Sequence, residues 1–351
     1  MRKYFLTLVL TLFLQLGYSQ ILICDTINKT PIPNVSVIFG SNTFTTISDL
    51  NGEFNISNEF LKIDNPITFS HISYQTKSIK SQFINKNDTI FLTPLINKLD
   101  EVVVSSNTSK DYLVLKGFFR SYIYNDNVVY GYSDGIVEYF INLNTNLKSN
   151  KNLTNRIISN RLYIRKYENN IKNGLFFKVG NDVNPSIPII DKKIISHIIY
   201  TSKNDIEKKY LNQIEGKLVK NNYDLLKGES NIRNIFGMRI ESIKNNTSVE
   251  YTEGRLNPLF LKSFTNNLKT KVSFKNEGYL KNSYEETIQE FIVINSHYIS
   301  ENTYKKIKTS NHFQCPNSNN GEIFIEYKNK FDFPLTPTFI ENQIGNELKI
   351  K

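Results

Sequence analysis

The sequence predicts an N-terminal all-β sandwich followed by an α+β domain with an antiparallel sheet. Three observations support this fold class. Short apolar segments separated by turn residues recur about every 8–12 residues over positions 21–95, which is typical of a small sandwich. A polar stretch follows at residues 105–110, and the remainder mixes strand-like and helix-like patterns. At 351 residues the chain is long enough to bury two cores.

The first twenty residues, MRKYFLTLVLTLFLQLGYSQ, have the pattern of a secretory signal peptide. Arg2 and Lys3 form a positive start, an apolar stretch follows, and small residues lead to a cleavage site near Gln20. We therefore expect an exported protein that is periplasmic or associated with the outer membrane. An oxidising compartment would permit a disulfide between Cys24 and Cys315, for which the sequence supplies no geometry.

Seven short segments make up the predicted sandwich. In VSVIF, residues 35–39, successive side chains alternate as in a strand with at least one buried face. Asn51-Gly52 supplies the positive φ that a hairpin turn needs. The segments are ILIC, VSVIFG, FTTI, EFNI, ITFSHI, YQTKSIK and DTIFLTP. A unit of this size has no room for a catalytic cleft.

Several motifs of this region carry a family resemblance. They are DxxxxxPIPNVSV from Asp25, TxSDLNGEF from Thr46, ITFSHISYQT from Ile67, DTIFLTPL from Asp88 and LDEVVV from Leu99. Over about residues 21–104 the set resembles the carboxypeptidase-regulatory-like domain, a transthyretin-like, peptidase-associated sandwich of exported Bacteroidetes-type proteins. The resemblance implies an accessory module that is not itself catalytic.

In that family the LDEVVV exit often leads into a TonB-dependent outer-membrane transporter. Here only about 250 residues follow, too few for a barrel of that class, so no transmembrane barrel is expected. The expected organisation is a signal peptide at 1–20, the sandwich at 21–95, a linker at 96–110 and an α+β domain of unknown function at 111–351.

The passage NVVYGYSDGIVEYFI, residues 127–141, is the most structured part of the second domain. We predict a hairpin with its turn at Asp134-Gly135, which places Tyr132 opposite Val137 on an apolar face and Glu138 on the other face. Residues 206–226 are the best helical candidate, whereas KTKVSFK, EETIQEFIVI and GEIFIEYK predict strands. The opening of this domain resembles uncharacterised envelope proteins of the same bacterial group and, more distantly, curved-sheet lipoprotein-carrier-like domains.

The segment Gly131–Gly135 also matches the G-x-S-x-G nucleophile elbow, with Ser133 as the catalytic candidate. An elbow needs a strand-to-helix turn, and the IVEYFINLN that follows favours a strand instead. His197, His297 or His312 could in principle serve as the base, but no spacing supports any of the three.

Arg120, Asp134 and Glu138 are charged residues among aromatic ones. We expect them either to converge on a ligand or partner or to line an ordinary exposed strand face. No glycine loop for a phosphate or dinucleotide is present, and none of the 4 His has the Glu spacing of a zinc carboxypeptidase, so no metal or cofactor is expected. The net charge of +10 comes from scattered lysines, and we expect no nucleic-acid binding.

The sequence therefore predicts a non-enzymatic envelope protein whose second domain binds a protein partner or an apolar ligand. The sandwich would act through its edge strands, which can recruit a further strand. The alternative is an exported serine-type hydrolase that uses the Gly131–Gly135 segment. A cluster of titratable groups in a cleft would favour the hydrolase, and an apolar cavity or a plain sheet would favour binding.

Overall fold

A computed structural model describes most of the predicted sandwich and much of the second domain. The described residues are 20–40, 43–49, 51–56, 61–95, 109–125, 128–143, 153–165, 187–188, 211–214, 217–224, 234–235, 238–251, 258–276, 279–309 and 336–350. Nearly all of the predicted signal peptide and linker lie outside them, as do His197, His312, Cys315 and the GEIFIEYK segment.

The N-terminal module, residues 20–95, consists of two small sheets packed face to face. Its strands are β1 Ile21–Asp25, β2 Ser36–Phe39, β3 Thr43–Ile47, β4 Glu53–Phe54, β5 Pro66–Ser70, β6 Lys77–Lys80 and β7 Thr89–Leu92, with a short 3-10 helix at Ser81–Phe83. One sheet has the order β4-β1-β7, and the other has β3-β2-β5-β6. Only the β1–β7 pair within the described module is parallel. Each predicted segment contains one strand, and the arrangement fits the predicted sandwich.

Apolar side chains from both sheets form the core of the module. The fully buried members are Ile21, Ile23, Ile32, Val35, Val37, Phe39, Phe54, Ile67, Phe69, Tyr74, Ile84, Ile90 and Leu92. The turn at Asn51-Gly52 has the expected geometry, because Gly52 has φ +73°. Asp49 Oδ1 supports this turn by accepting hydrogen bonds from the N–H groups of Asn51 and Glu53, at 2.9 and 2.8 Å.

The second part of the chain is built on one long antiparallel sheet. Its strands are β8 Tyr112–Asn125, β9 Val128–Asn142, β10 Leu153–Arg165, β11 Leu211–Ile214, β12 Lys217–Asp224, β13 Asn234–Ile235, β14 Met238–Tyr251, β15 Leu261–Asn276, β16 Tyr279–Ile299 and β17 Leu348–Ile350. The order is β11-β12-β14-β15-β16-β8-β9-β10-β17, with β13 on β14. A single residue pair, Thr43 opposite Val128, joins this long sheet to β3 of the module.

Helices are few in the described residues. In the second part of the chain, the helices among them are α1 Glu301–Thr309 and α2 Thr338–Glu341, with a 3-10 helix at Pro258–Phe260. The predicted α+β class of the second domain is therefore not confirmed, and the predicted helix at 206–226 is wrong, since β11 and β12 occupy its described part. The isolated segment lacks the cross-strand partner, β14, whose pairing with β12 decides its conformation. No helix in the described part is long and apolar enough to span a membrane.

The predicted hairpin turn at Asp134-Gly135 is also wrong. β9 runs straight through both residues, so Tyr132 and Val137 lie on opposite faces, while Glu138 shares the face of Tyr132. Gly135 serves a different purpose here. It lies beside the irregularity in β10 between Ile157 and Ser159, where a Cβ on Gly135 would collide with the Ser159 carbonyl. Glycine permits this close approach of two backbones.

Strand alternation gives the long sheet two different faces. The apolar face carries a cluster of Leu113, Leu115, Phe119, Val137, Tyr139, Ile141, Val249, Leu259, Leu261, Phe264, Phe291 and Val293. The opposite face, called the docking face below, carries Phe118, Arg120 and Tyr122 of β8 and packs against the module, α1 and α2. The docking face therefore holds the charged residues that the sequence singled out.

Candidate functional site

A row of polar residues crosses five strands of the docking face. In register order its members are Thr265, Glu290, Arg120, Asp134 and Arg161, from β15, β16, β8, β9 and β10. Neighbouring side chains in such a row are close enough to interact. We call this set the polar row; it contains two of the three charged residues predicted as binding candidates.

Arg120 lies at the centre of the polar row and is only 1% exposed. Its guanidinium forms an ion pair with Glu290, in which Nε donates to Oε2 and Nη2 donates to Oε1 at 3.2 Å. Burial by itself lowers the pKa of Arg120, but the adjacent Glu290 carboxylate outweighs it, so the pKa lies above its ordinary value. Arg120 is therefore a permanently charged, internally neutralised group.

Asp134 is the second candidate, and its charge is also matched within the chain. Arg161 Nε donates to Asp134 Oδ1 at 2.7 Å, and the Tyr132 hydroxyl donates to Oδ2 at 2.8 Å. Burial, and then the Asp134 charge, raise the pKa of Tyr132 well above its ordinary value. Arg161 also donates to Thr336 Oγ1 at 3.2 Å, which ties the residues before α2 to the polar row.

Glu138, the third candidate, lies four residues further along β9 and outside the polar row. Arg156 Nε donates to its Oε2 at 2.9 Å, and Lys116 Nζ lies 3.7 Å from Oε1. His297 is close enough to sense these charges: burial lowers its pKa, Glu138 raises it and Lys116 lowers it, with a net lowering. The three candidates thus share a face but belong to two separate charge clusters.

The loop after β5 lies directly on the polar row. Arg120 Nη2 donates to Ser70 Oγ at 3.2 Å, and the Ile72 N–H donates to Glu290 Oε1 at 3.0 Å. Further along, Ser73 Oγ donates to Ser263 Oγ at 2.9 Å, and that hydroxyl donates to Glu250 Oε2 at 2.8 Å. His71 Nε2 is 3.5 Å from Thr265 Oγ1. We call Ser70–Ser73 the docking loop.

Apolar contacts accompany these hydrogen bonds. Ile72 of the docking loop is completely buried among Phe118, Ile136 and Ile292 of the long sheet. Ile38, on the outer face of β2, packs into a second cluster with Tyr122, Tyr124, Val129, Tyr132, Tyr163, Ile288, Phe339, Ile340 and Leu348. The module, the long sheet and the C-terminal segment therefore share one continuous apolar contact.

Ser133 lies in the middle of β9, on the face opposite to the polar row. Its hydroxyl donates to Asn160 Oδ1 at 2.8 Å. The strand-to-helix turn of a nucleophile elbow is not formed at Gly131–Gly135, where β9 continues as a strand. Of the three histidines considered as its base, His297 lies on the docking face, and His197 and His312 are outside the described residues.

The remaining candidates for metal or thiol chemistry are the His, Cys, Asp and Glu side chains of the described residues. Within these stretches, no group of three or more His, Cys, Asp or Glu side chains is placed to hold a metal ion. Cys24 is buried in β1, and Cys315, whose pairing with Cys24 the sequence leaves open, is outside the described residues.

Sequence reasoning did not find Glu290 or the docking loop. The available signal for Glu290 was a carboxylate directly before the apolar run FIVI in a predicted strand. For the docking loop it was a polar Ser-His-Ile-Ser sequence at the end of the strand ITFS. Neither pattern identifies its partner, because the partner is about 200 residues away in sequence; the bond from Ile72 to Glu290 spans 218 residues.

Comparison with known families identifies the class of the first part. Residues 22–104 match the model of the CarboxypepD_reg-like domain. Together with the two packed sheets, this match defines the N-terminal module as a CarboxypepD_reg-like β-sandwich. A search of curated proteins found no match for the chain.

Proposed function

We propose that this protein is an exported, non-catalytic component of the cell envelope. In it, the CarboxypepD_reg-like sandwich serves as an accessory module, and the long antiparallel sheet belongs to a domain that binds a protein partner or an apolar ligand. The observation that carries the proposal is that the three charged candidates are neutralised within the chain. Arg120, Asp134 and Glu138 are each paired with an opposite charge of the same chain, as structural charges are.

Two further features support a binding role over a catalytic one. The Ser133 hydroxyl is engaged with an amide oxygen on a regular strand, which gives it no activating base. The apolar face concentrates aromatic and aliphatic side chains from five strands, and the Tyr139 hydroxyl on that face donates to the Pro188 carbonyl. The cluster members are at most 8% exposed, so this face is a packed apolar interior, an environment that accommodates an apolar ligand or a partner segment better than a polar substrate.

The first experiment tests export and envelope location. The full chain is expressed in a Gram-negative host, the cells are fractionated, and the intact mass of the purified protein is measured. We expect a protein in the periplasmic or outer-membrane fraction whose mass corresponds to cleavage near Gln20. A full-length protein in the cytoplasmic fraction would contradict the proposal.

The second experiment separates binding from hydrolysis. The purified protein and its Ser133→Ala variant are treated with a fluorophosphonate probe, which labels activated serines covalently. We expect no labelling of either protein, while a native mass spectrum retains a bound apolar molecule or partner. Labelling that is present in the parent and lost in the variant would support the serine-type hydrolase instead.

A further inference from the structure

The docking loop is buried in a way that a connecting loop normally is not. Loops between strands usually lie on the surface, where water satisfies their backbone groups. Here Ser70, His71, Ile72 and Ser73 are each at most 2% exposed. The Tyr74 N–H donates to the His71 carbonyl at 3.1 Å, so the loop also forms a compact turn of its own. A turn this deeply buried needs a complementary surface that supplies partners for its polar groups.

The long sheet supplies such a surface from three strands. Glu290 of β16 accepts the Ile72 N–H, Arg120 of β8 binds Ser70, and Ser263 of β15 accepts the Ser73 hydroxyl. These bonds differ in direction and chemistry. One joins a backbone N–H to a carboxylate, one joins a guanidinium to a hydroxyl, and one joins two hydroxyls. Such a set defines the position and the orientation of the loop and leaves few alternatives.

Ile72 supplies the apolar part of the contact at the centre of this polar frame. It is enclosed by Phe118, Ile136 and Ile292. Ile38 makes a second apolar contact with Tyr122 and its neighbours. A buried aliphatic anchor with hydrogen bonds beside it is an arrangement found at the centre of stable protein interfaces.

From these contacts we propose that Arg120 and Glu290 of the polar row, together with Ser263, form the binding surface for the docking loop, and that the binding partner of the CarboxypepD_reg-like module is the long sheet of its own chain. Noncovalent contact holds the module in place, and the covalent connection through residues 96–108 is not needed for it. The proposal is independent of the compartment of the protein and of whatever the apolar face binds.

The test is carried out on the full chain. Residues 105–108 are replaced by a protease recognition sequence flanked by Gly-Ser spacers, and the folded protein is cleaved and passed over a size-exclusion column. We expect the two pieces to elute together at the volume of the uncut protein and to separate only in denaturant. Separate elution in buffer would overturn the proposal.

Two substitutions test the contacts named above. Ile72→Ala should raise the dissociation constant of the cleaved pieces at least about 30-fold, because it leaves a cavity under the loop. Ser73→Ala should raise it about 3- to 10-fold through loss of one hydrogen bond. Phe83→Ala, at a position of the module that is 68% exposed, is the matched control and should change nothing. An Ile72→Ala effect no larger than that of Phe83→Ala would overturn the proposal.

Hydrogen exchange provides a measurement on the uncut chain. A module held by the docking loop should protect the Ile72 amide as strongly as the amides of β8, and Ile72→Ala should speed exchange in this loop without affecting β1. Rapid exchange at Ile72 in the parent protein would overturn the proposal even if the cleaved pieces co-elute.

Discussion

The guanidinium of Arg120 is held in the interior by both carboxylate oxygens of Glu290 and by the hydroxyl of Ser70. Removing two charges from water is costly, and their attraction offsets this cost only when both are present with good geometry. The pair therefore contributes more to the position of the module than to the net free energy of folding. Removing only one residue of the pair, however, should strongly lower the free energy of unfolding.

Arg120→Met should lower the free energy of unfolding by about 3–5 kcal/mol, because it leaves Glu290 buried without a counter-charge. The double variant Arg120→Met/Glu290→Met should recover most of this loss and retain a deficit of about 1–3 kcal/mol from the unpaired Ile72 N–H. Urea unfolding of the parent, the single and the double variants measures these values. A double variant as unstable as the single one would contradict the prediction.

Gly135→Ala should destabilise the protein by about 1–3 kcal/mol through overpacking, since the added methyl group meets the Ser159 carbonyl on β10. Thermal unfolding is a sufficient measurement. The control is Asn155→Ala at an exposed position of β10, which should stay within about 0.5 kcal/mol of the parent. A Gly135→Ala variant as stable as this control would mean that the two backbones are further apart.

His297 should make stability depend on pH. Its pKa is lowered in the folded protein from 6.5, first by burial and then by Lys116, despite the opposing Glu138. The unfolded chain therefore binds the proton more readily. This contribution is fully present above about pH 6.5 and is lost as the pH falls from there through the lowered pKa. The free energy of unfolding, measured between pH 8 and pH 5, should change less with pH in His297→Gln than in the parent. The same pH dependence in both proteins would contradict this.

At the scale of elements, the C-terminal segment completes the docking face. α2 stacks Phe339 near the Tyr122 ring, with 6.1 Å between ring centroids and 23° between ring planes, and β17 pairs with the end of β10. Arg165 of β10 binds both Gln343 and Glu347, which holds the turn between α2 and β17. This short segment therefore covers tyrosines that strand alternation alone would leave exposed.

Phe339→Ala should lower the free energy of unfolding by about 3–5 kcal/mol, as deletion of a buried aromatic side chain does. The neighbouring Thr338→Ala, at an exposed position, should be nearly neutral and is the matched control. Urea midpoints and near-ultraviolet circular dichroism, which reports on packed tyrosines, measure both. Equal midpoints for the two variants would show that the segment is not packed on Tyr122.

Elements also show how far the sequence could lead. All seven strands of the module were predictable, because alternation and turn residues such as Asn51-Gly52 act over a few positions. β9 was not predictable at Asp134-Gly135, where the dipeptide favours a turn and the irregularity in β10 uses the glycine differently. The segment 206–226 was predicted as a helix, although β12 pairs with β14 there.

At the scale of the whole molecule, the module and the long sheet share buried contacts. Their common contacts include Ile38, Ile72, Arg120 and Glu290, all of them buried. Two domains connected by such a contact are expected to unfold together, whereas domains joined by a linker alone unfold separately.

A pair of fluorescent reporters can test this cooperativity, since the chain contains no Trp. Phe91→Trp places a reporter in the module, and Tyr298→Trp places one in the long sheet. The two variants should show the same urea midpoint within error, each matching the transition seen by circular dichroism. A module reporter that changes at a lower urea concentration than the sheet reporter would contradict a shared core.

The amino-acid sequence by itself determined the strands of the module, their turn chemistry and the resemblance of the first hundred residues to a known family. These are properties of neighbouring residues, so they can be read locally. It also indicated Arg120, Asp134 and Glu138 as unusual charges among aromatic residues.

Only the tertiary structure decided what those charges do. Arg120 finds its counter-charge 170 residues away, and the docking loop meets a carboxylate 218 residues away. Such partners are chosen by sheet order and register, which depend on the packing of all strands at once. A local sequence pattern can therefore indicate an unusual charged residue. Whether that charge binds a ligand or another part of the same protein is decided by the fold of the whole chain.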